Sequence, residues 1–216
     1  MPVFYKIETE EFKLGIWQLQ ESMELLSQLF KQKAPSQEIK KVENFSYTHR
    51  KSEWMAVRLL LYELLGDVVE VNYDQNGKPY LEDRKYKISI SHTKGVVAAI
   101  VTQVNSGIDV EYVNERVLKI ESKFMSSSEL MEVNTDQKAK KLLLYWSAKE
   151  TLYKLYGVKG LDFKKNIGIQ PFELKENGEI GGRIEINNKK AAYRLNYFFF
   201  NIERLKTEYV LVYCFN

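Results

Sequence analysis

Asn105-Ser106-Gly107-Ile108-Asp109-Val110-Glu111-Tyr112-Val113 is the stretch from which the rest of the chain is best read. Its first three residues are turn chemistry, since Asn and Gly tolerate backbone conformations that larger side chains avoid. From Ile108 onward, apolar and acidic residues alternate with a period of two, the signature of a half-buried strand. Residues two apart on a strand share a face, so Asp109 and Glu111 project side by side, roughly 7 Å apart along the backbone. Ile108 and Val110 point the other way, into a core. Taken alone, the acidic pair reads equally well as the solvated face of a strand or as a site.

Working outward, residues 3–8 and 87–91 also alternate, and 96–104 form a continuous apolar strand. Residues 21–31 read as a short helix, 45–65 as a longer one stopped by Gly66, and 136–156 as a third ended by Gly157. Asn76-Gly77 signals a turn before Lys78-Pro79-Tyr80. Four strands are expected from residue 167 to the C-terminus, with turns at Asn177-Gly178, at Asn187-Asn188 and near Arg204. The fold class is therefore α+β. An internal echo links the two longer helices. Trp54-Met55-Ala56 leads to Tyr62-Glu63-Leu64-Leu65-Gly66, and Trp146-Ser147-Ala148 leads to Tyr153-Lys154-Leu155-Tyr156-Gly157. Chance similarity between amphipathic helices accounts for the echo as well as a duplication does.

Composition excludes several classes. With 44% hydrophobic and 28% charged residues over 216 positions, the chain is an ordinary globular one with a sizeable core. The net charge of +3 is too small to argue for nucleic-acid binding. The opening residues carry no basic segment leading into an apolar stretch, and no apolar cluster reaches membrane-spanning length. Neither a secretory leader nor a membrane partner is expected, and the location read from this is cytoplasmic. The lone Cys214 lies in an apolar cluster, where a buried reduced thiol is expected. One Cys with only His49 and His92 cannot build a typical zinc site, so any metal must be a hard cation on carboxylates.

The third helix supplies a further carboxylate. In Trp146-Ser147-Ala148-Lys149-Glu150-Thr151-Leu152-Tyr153-Lys154, Glu150 stands four residues after Trp146 and seven after Leu143, on the apolar stripe. A carboxylate there is costly unless paired or bound to a metal. Lys154, one turn on, is within reach of it, and a plain Glu-to-Lys surface pair is the alternative. Three carboxylates and a lysine near one point suit phosphoryl transfer, because magnesium takes oxygen ligands and bridges to phosphates.

These residues resemble the 4′-phosphopantetheinyl transferases: Gly107-Ile108-Asp109-Val110-Glu111, then Trp146-Ser147-Ala148-Lys149-Glu150 with Lys154, preceded by Asn76-Gly77-Lys78-Pro79 and Ile90-Ser91-His92. The single-chain, surfactin-synthetase-activating type fits better than the short trimeric carrier-protein synthases, because this chain is about twice their length. The resemblance runs best over residues 45–157.

The resemblance implies a pseudo-dimer of two similar α+β halves, here residues 1–105 and 106–216, with the active site between them and the chain acting as a monomer. It implies Asp109, Glu111 and Glu150 as magnesium ligands, and Lys154 as the lysine near the coenzyme A pyrophosphate. Lys78, Pro79, Ser91 and His92 are implied as coenzyme A contacts. Lys41 and Arg50, with Lys40 and Arg58 behind them, are the candidates for its 3′-phosphate. The implied reaction moves phosphopantetheine from coenzyme A to a serine of an acidic apo carrier protein and releases 3′,5′-ADP. Glu150, a metal-bound water or Lys154 would take the serine proton. The segment 116–131, with Phe124 and Met125 expected to be exposed, is the expected carrier-docking surface. Two other readings compete: a different magnesium-dependent phosphate-transfer or hydrolysing enzyme, and a non-catalytic module that binds coenzyme A or the carrier.

Overall fold

The computed structural model describes residues 3–133 and 136–216; Met1 and Pro2, part of the opening stretch read for a leader, lie outside them. Contacts divide the chain into two units, Met1–Val104 and Asn105–Asn216. Both combine helices with antiparallel sheet, so the α+β class expected from the sequence is what the chain adopts.

In the first unit the three expected strands and one that the sequence had not marked, β2, pair as a four-stranded antiparallel sheet, ordered β1-β2-β6-β5. Its strands are β1 (Val3–Glu8), β2 (Phe12–Gln18), β5 (Lys87–Thr93) and β6 (Val96–Thr102). β3 (Val71–Tyr73) and β4 (Pro79–Leu81) form a separate hairpin, and Gly77 at its turn takes φ 84°. Three helices complete the unit: α1 (Met23–Lys33), α2 (Ser36–Glu43) and α3 (Thr48–Leu65). α1 starts two residues later than the sequence suggested, because Ser22 caps it by accepting a hydrogen bond from the Leu25 N–H. The eight-residue α2 was not marked from the sequence; it buries Val42 and Glu38 and packs on the neighbouring helix. α3 packs on β2 and β6 through Met55, Leu59 and Leu60. Burying each such side chain stabilises the fold by about 1.5–3 kcal/mol.

The second unit holds a five-stranded antiparallel sheet ordered β7-β11-β10-β9-β8. Its strands are β7 (Ser106–Tyr112), β8 (Ile167–Ile169), β9 (Asn177–Ile186), β10 (Lys189–Ile202) and β11 (Thr207–Phe215). Between β7 and β8 come a 3-10 turn, Glu115–Lys119, then α4 (Glu121–Phe124), α5 (Ser127–Met131) and the long α6 (Lys138–Tyr156). α6 lies across β7 and β11, burying Leu144, Ala148 and Leu152 against Leu195, Val210 and Val212. Asn187 and Asn188 both take positive φ, 50° and 63°, making the tight turn expected between β9 and β10.

α3 and α6, which carry the internal echo, end alike: Gly66 and Gly157 are left-handed caps whose N–H groups bond Tyr62 and Tyr153 carbonyls. Two local expectations are corrected. Asn177-Gly178 is not a turn but the start of β9, where cross-strand pairing with Phe198 and Tyr197 overrides the Asn-Gly preference. Phe124 and Met125 are not exposed but 1% and 0% accessible, packed into the core beneath α6; Met131 is the exposed apolar residue of that segment. Among the described residues, no helix is long and apolar enough to cross a membrane. Cys214 is buried as expected, and that burial pushes its thiol pKa up to about 12.

Candidate active site

Asp109 and Glu111 do share one face of β7, opposite Val212 and Val210 of β11, while Ile108 and Val110 are buried on the other. α6 crosses close to that strand because Gly107 has no side chain. A Cβ there would collide with the Thr151 carbonyl oxygen. The close approach lets one helical face reach across. Ser147 Oγ donates to Asp109 Oδ2 at 2.8 Å, and Thr151 Oγ1 donates to the Val212 carbonyl at 3.2 Å. Lys154 Nζ donates to Asp109 Oδ1 at 2.7 Å and to the Ile108 carbonyl at 3.1 Å. Trp146 Nε1 donates to Glu111 Oε1 at 3.3 Å. The short, charge-assisted contact of Lys154 is thus made to the strand.

Glu150 projects from α6 into this group and is mostly buried. Burial raises its pKa to about 7, helped by the charges of Asp109 and Glu111 and partly offset by Lys154. A carboxyl that titrates near neutrality beside two others marks a place where negative charge is crowded and a cation would relieve it. The donor set is all oxygen, which suits magnesium. Among the described residues, no three acidic, His or Cys groups close around a single point. The chemistry of these donors, three carboxylates and no sulfur or imidazole, is that of a hard divalent ion.

In the first unit, the structure brings Arg50 and His92 together: Arg50 Nη1 lies 3.2 Å from His92 Nε2. Both stand near Glu53, with His92 Nδ1 at 3.4 Å and Arg50 Nη1 at 3.7 Å from its Oε2. At these lengths neither contact with Glu53 Oε2 is a well-directed hydrogen bond. Burial alone would raise the pKa of Glu53, but His92 and Arg50 outweigh it and the net shift is downward. Arg50 is exposed. Lys41 is instead held by Glu38 at 2.8 Å and Glu70 at 3.0 Å. Arg58, a secondary candidate for the 3′-phosphate, is 2% exposed, bonded to Glu38 at 3.2 Å and stacked 3.6 Å above Trp54. Its planar guanidinium satisfies a buried carboxylate and an aromatic face together. Lys40 is exposed on α2. Ser91 is buried on β5, and Pro79 begins β4. Lys78 comes directly after the Gly77 turn, where its N–H bonds Asp74 Oδ1 at 2.9 Å. Burial lowers its ammonium pKa, Lys87 adds to this, and Asp74 opposes it.

Sequence reasoning missed Lys149 and Glu129. Lys149 is fully buried and donates to Glu129 Oε2 at 2.7 Å. Glu129 Oε2 also accepts from the Ser126 N–H at 2.8 Å, and its Oε1 accepts from the Ile169 N–H at 2.9 Å. The signal was legible in part. Ser126 with Glu129 three residues on is a capping-box pattern, and both of its reciprocal bonds form. Nothing local said that the same carboxylate would pair with Lys149.

Residues 105–214 match a family model described as the 4′-phosphopantetheinyl transferase superfamily. That span runs from the turn before β7 into β11 and contains Asp109, Glu111, Glu150 and Lys154. No curated protein matches the chain.

Proposed function

The chain belongs to the 4′-phosphopantetheinyl transferase superfamily, and on that premise we propose that it is the single-chain type, transferring phosphopantetheine from coenzyme A to a serine of an acidic apo carrier protein. The observation that carries this reading is the carboxylate group of the second unit. Glu150 feels the charges of Asp109 and Glu111, and Lys154 stands against Asp109. Asp109, Glu111 and Glu150 would hold magnesium, which when bound supplies neutralising charge for the pyrophosphate oxygens.

The chain's own groups then have distinct roles. Lys154 adds a cation whose position is set by Asp109 and the Ile108 carbonyl. An ammonium donating to a carboxylate and a carbonyl is a poor proton acceptor, which favours Glu150 as the base. The serine oxygen bonds to the phosphorus nearest the pantetheine, and the bond from that phosphorus to the bridging oxygen breaks. 3′,5′-ADP leaves with the bridging oxygen, and the serine proton passes to the Glu150 carboxylate. Arg50 and His92 are the proposed 3′-phosphate contacts, preferred to Lys41 and Arg58 because those two are already committed to Glu38. Lys78, Pro79 and Ser91 complete the proposed coenzyme A contacts.

The test is to incubate the protein with coenzyme A, Mg²⁺ and apo carriers of the fatty-acid, polyketide and peptide-synthetase classes, and to weigh the carriers. One carrier should gain a single phosphopantetheine, and chelating the metal should prevent it. Release of 3′,5′-ADP with every carrier left unmodified would instead identify a hydrolase.

A further inference from the structure

Lys149 sits beside Glu150 in sequence but points to a different side of α6, about 100° round the helix, and its ammonium is surrounded by acceptors. Besides Glu129, it lies 2.9 Å from the Phe124 carbonyl, 2.8 Å from the Phe163 carbonyl and 2.9 Å from the Ile167 carbonyl. Three of these four acceptors are backbone carbonyls from three separate segments: the end of α4, the loop at Phe163 and the start of β8. A buried ammonium holding several carbonyls fixes each segment at a defined distance from the helix.

The rings of two of those residues share a target. Phe124 packs edge-on against Trp146 with centroids 5.2 Å apart, and Phe163 packs on Trp146 with centroids 5.6 Å apart. Trp146 in turn donates its indole N–H to Glu111 Oε1 at 3.3 Å. The chain of contacts is continuous: the ammonium fixes two backbone carbonyls, their two rings hold the indole, and the indole orients a carboxylate. Indole position matters because a single N–H donor at that length weakens steeply if its angle drifts.

We infer that Lys149 is a positioning residue: by clamping the Phe124 and Phe163 backbones it sets the orientation of Trp146 and, through it, of Glu111. The effect on catalysis rests on the proposed transferase reading; the effect on Trp146 does not. The ion pair with Glu129 is a separate matter of stability, because removing one partner of a buried pair strands the other.

The experiment uses the full chain labelled with 5-fluorotryptophan, in which Trp146→Phe assigns one ¹⁹F line. Two variants are compared with wild type: Glu129→Gln, and Lys149→Met combined with Glu129→Gln. The double variant strands no charge, so it keeps its fold by circular dichroism, yet it lacks every carbonyl bond. In it, the Trp146 line should shift or broaden while the Trp17 and Trp54 lines stay, and kcat should fall 10–100-fold, the range typical of lost outer-shell support. KM for coenzyme A should change by no more than about twofold, since Lys149 holds none of the proposed coenzyme A contacts. Glu129→Gln alone should lower the thermal midpoint, leave the Trp146 line in place and keep kcat within about threefold, since the three carbonyl bonds remain. A double variant with the Trp146 line at its wild-type position overturns the proposal. So does one whose line moves while kcat is kept. Absence of transfer by the wild-type protein would remove the transferase reading and leave the ¹⁹F comparison standing as the test of the clamp.

Discussion

Lys154 Nζ lies 2.7 Å from Asp109 Oδ1, so the cation one helical turn beyond Glu150 pairs with the strand across from it. The carboxylate is 5% exposed and the lysine 27%, so the pair is shielded on one side and open on the other. It joins α6 to β7 at the point where the acidic groups meet.

Replacing Asp109 therefore has two effects. Asp109→Ala removes the acceptor for both Ser147 and Lys154, and should destabilise the fold by about 1–3 kcal/mol. Asp109→Asn keeps the shape and one acceptor and should lose less stability, while transfer still falls at least about 100-fold because the charge is gone. Urea unfolding with a transfer assay on both variants checks this. Equal stability and near-normal transfer in Asp109→Asn would rule the residue out as a ligand.

Glu150 predicts a pH dependence of stability. Its carboxyl pKa is about 7 in the metal-free fold, against an ordinary value of 4.5, so the folded state holds a proton that the unfolded state has released between these values. Stability contributed by this group should then fall as pH rises through that window, by on the order of 1–3 kcal/mol. Glu150→Gln cannot ionise and should flatten the slope, as should saturating Mg²⁺, which favours the charged form. Urea midpoints from pH 5 to 8 in chelator would show it. An identical slope in the variant would mean that Glu150 titrates normally.

Arg50 and His92, 3.2 Å apart, should act together on the 3′-phosphate. Arg50→Ala or His92→Ala should raise KM for coenzyme A by roughly 10-fold, the loss of one charge-assisted contact, and leave dephospho-coenzyme A nearly unaffected. Lys41→Ala should act differently, lowering the thermal midpoint more than it changes KM, because Lys41 bridges Glu38 and Glu70. Equal effects of all three variants on both substrates would place Arg50 and His92 elsewhere.

Gly107→Ala should be more harmful than its size suggests. Its Cβ would meet the Thr151 carbonyl, a backbone group that cannot swing aside. The helix must shift, at a cost of about 1–3 kcal/mol, and Glu150, the neighbour of Thr151, moves with it. Thermal melting and kcat should both drop. A variant that melts normally would show that α6 yields without strain.

Much of this was written locally in the chain. Alternation placed Asp109 and Glu111 on one face of β7, because the period of a strand is a property of its own backbone. Gly66 and Gly157 marked both long helix ends, because only a residue without Cβ takes a left-handed cap cheaply. The order Gly107 to Glu111, then Trp146 to Lys154, was sufficient to suggest the family that the match over 105–214 then supported.

The rest was decided by which distant segments meet. Helical spacing brought Lys154 within reach of Glu150, but the crossing of α6 over Gly107 set its cation against Asp109. Phe124 and Met125 sit in a polar-looking stretch, yet they are buried, because the apolar underside of α6 had to be covered from somewhere. Lys149 read as one more charge in a helix; four acceptors from distant segments made it a buried hub. The carboxyl of Glu150 became one that titrates near neutrality for the same reason. Residue type sets a group's intrinsic pKa, but burial and neighbouring charge, which move it, exist only once the chain has folded.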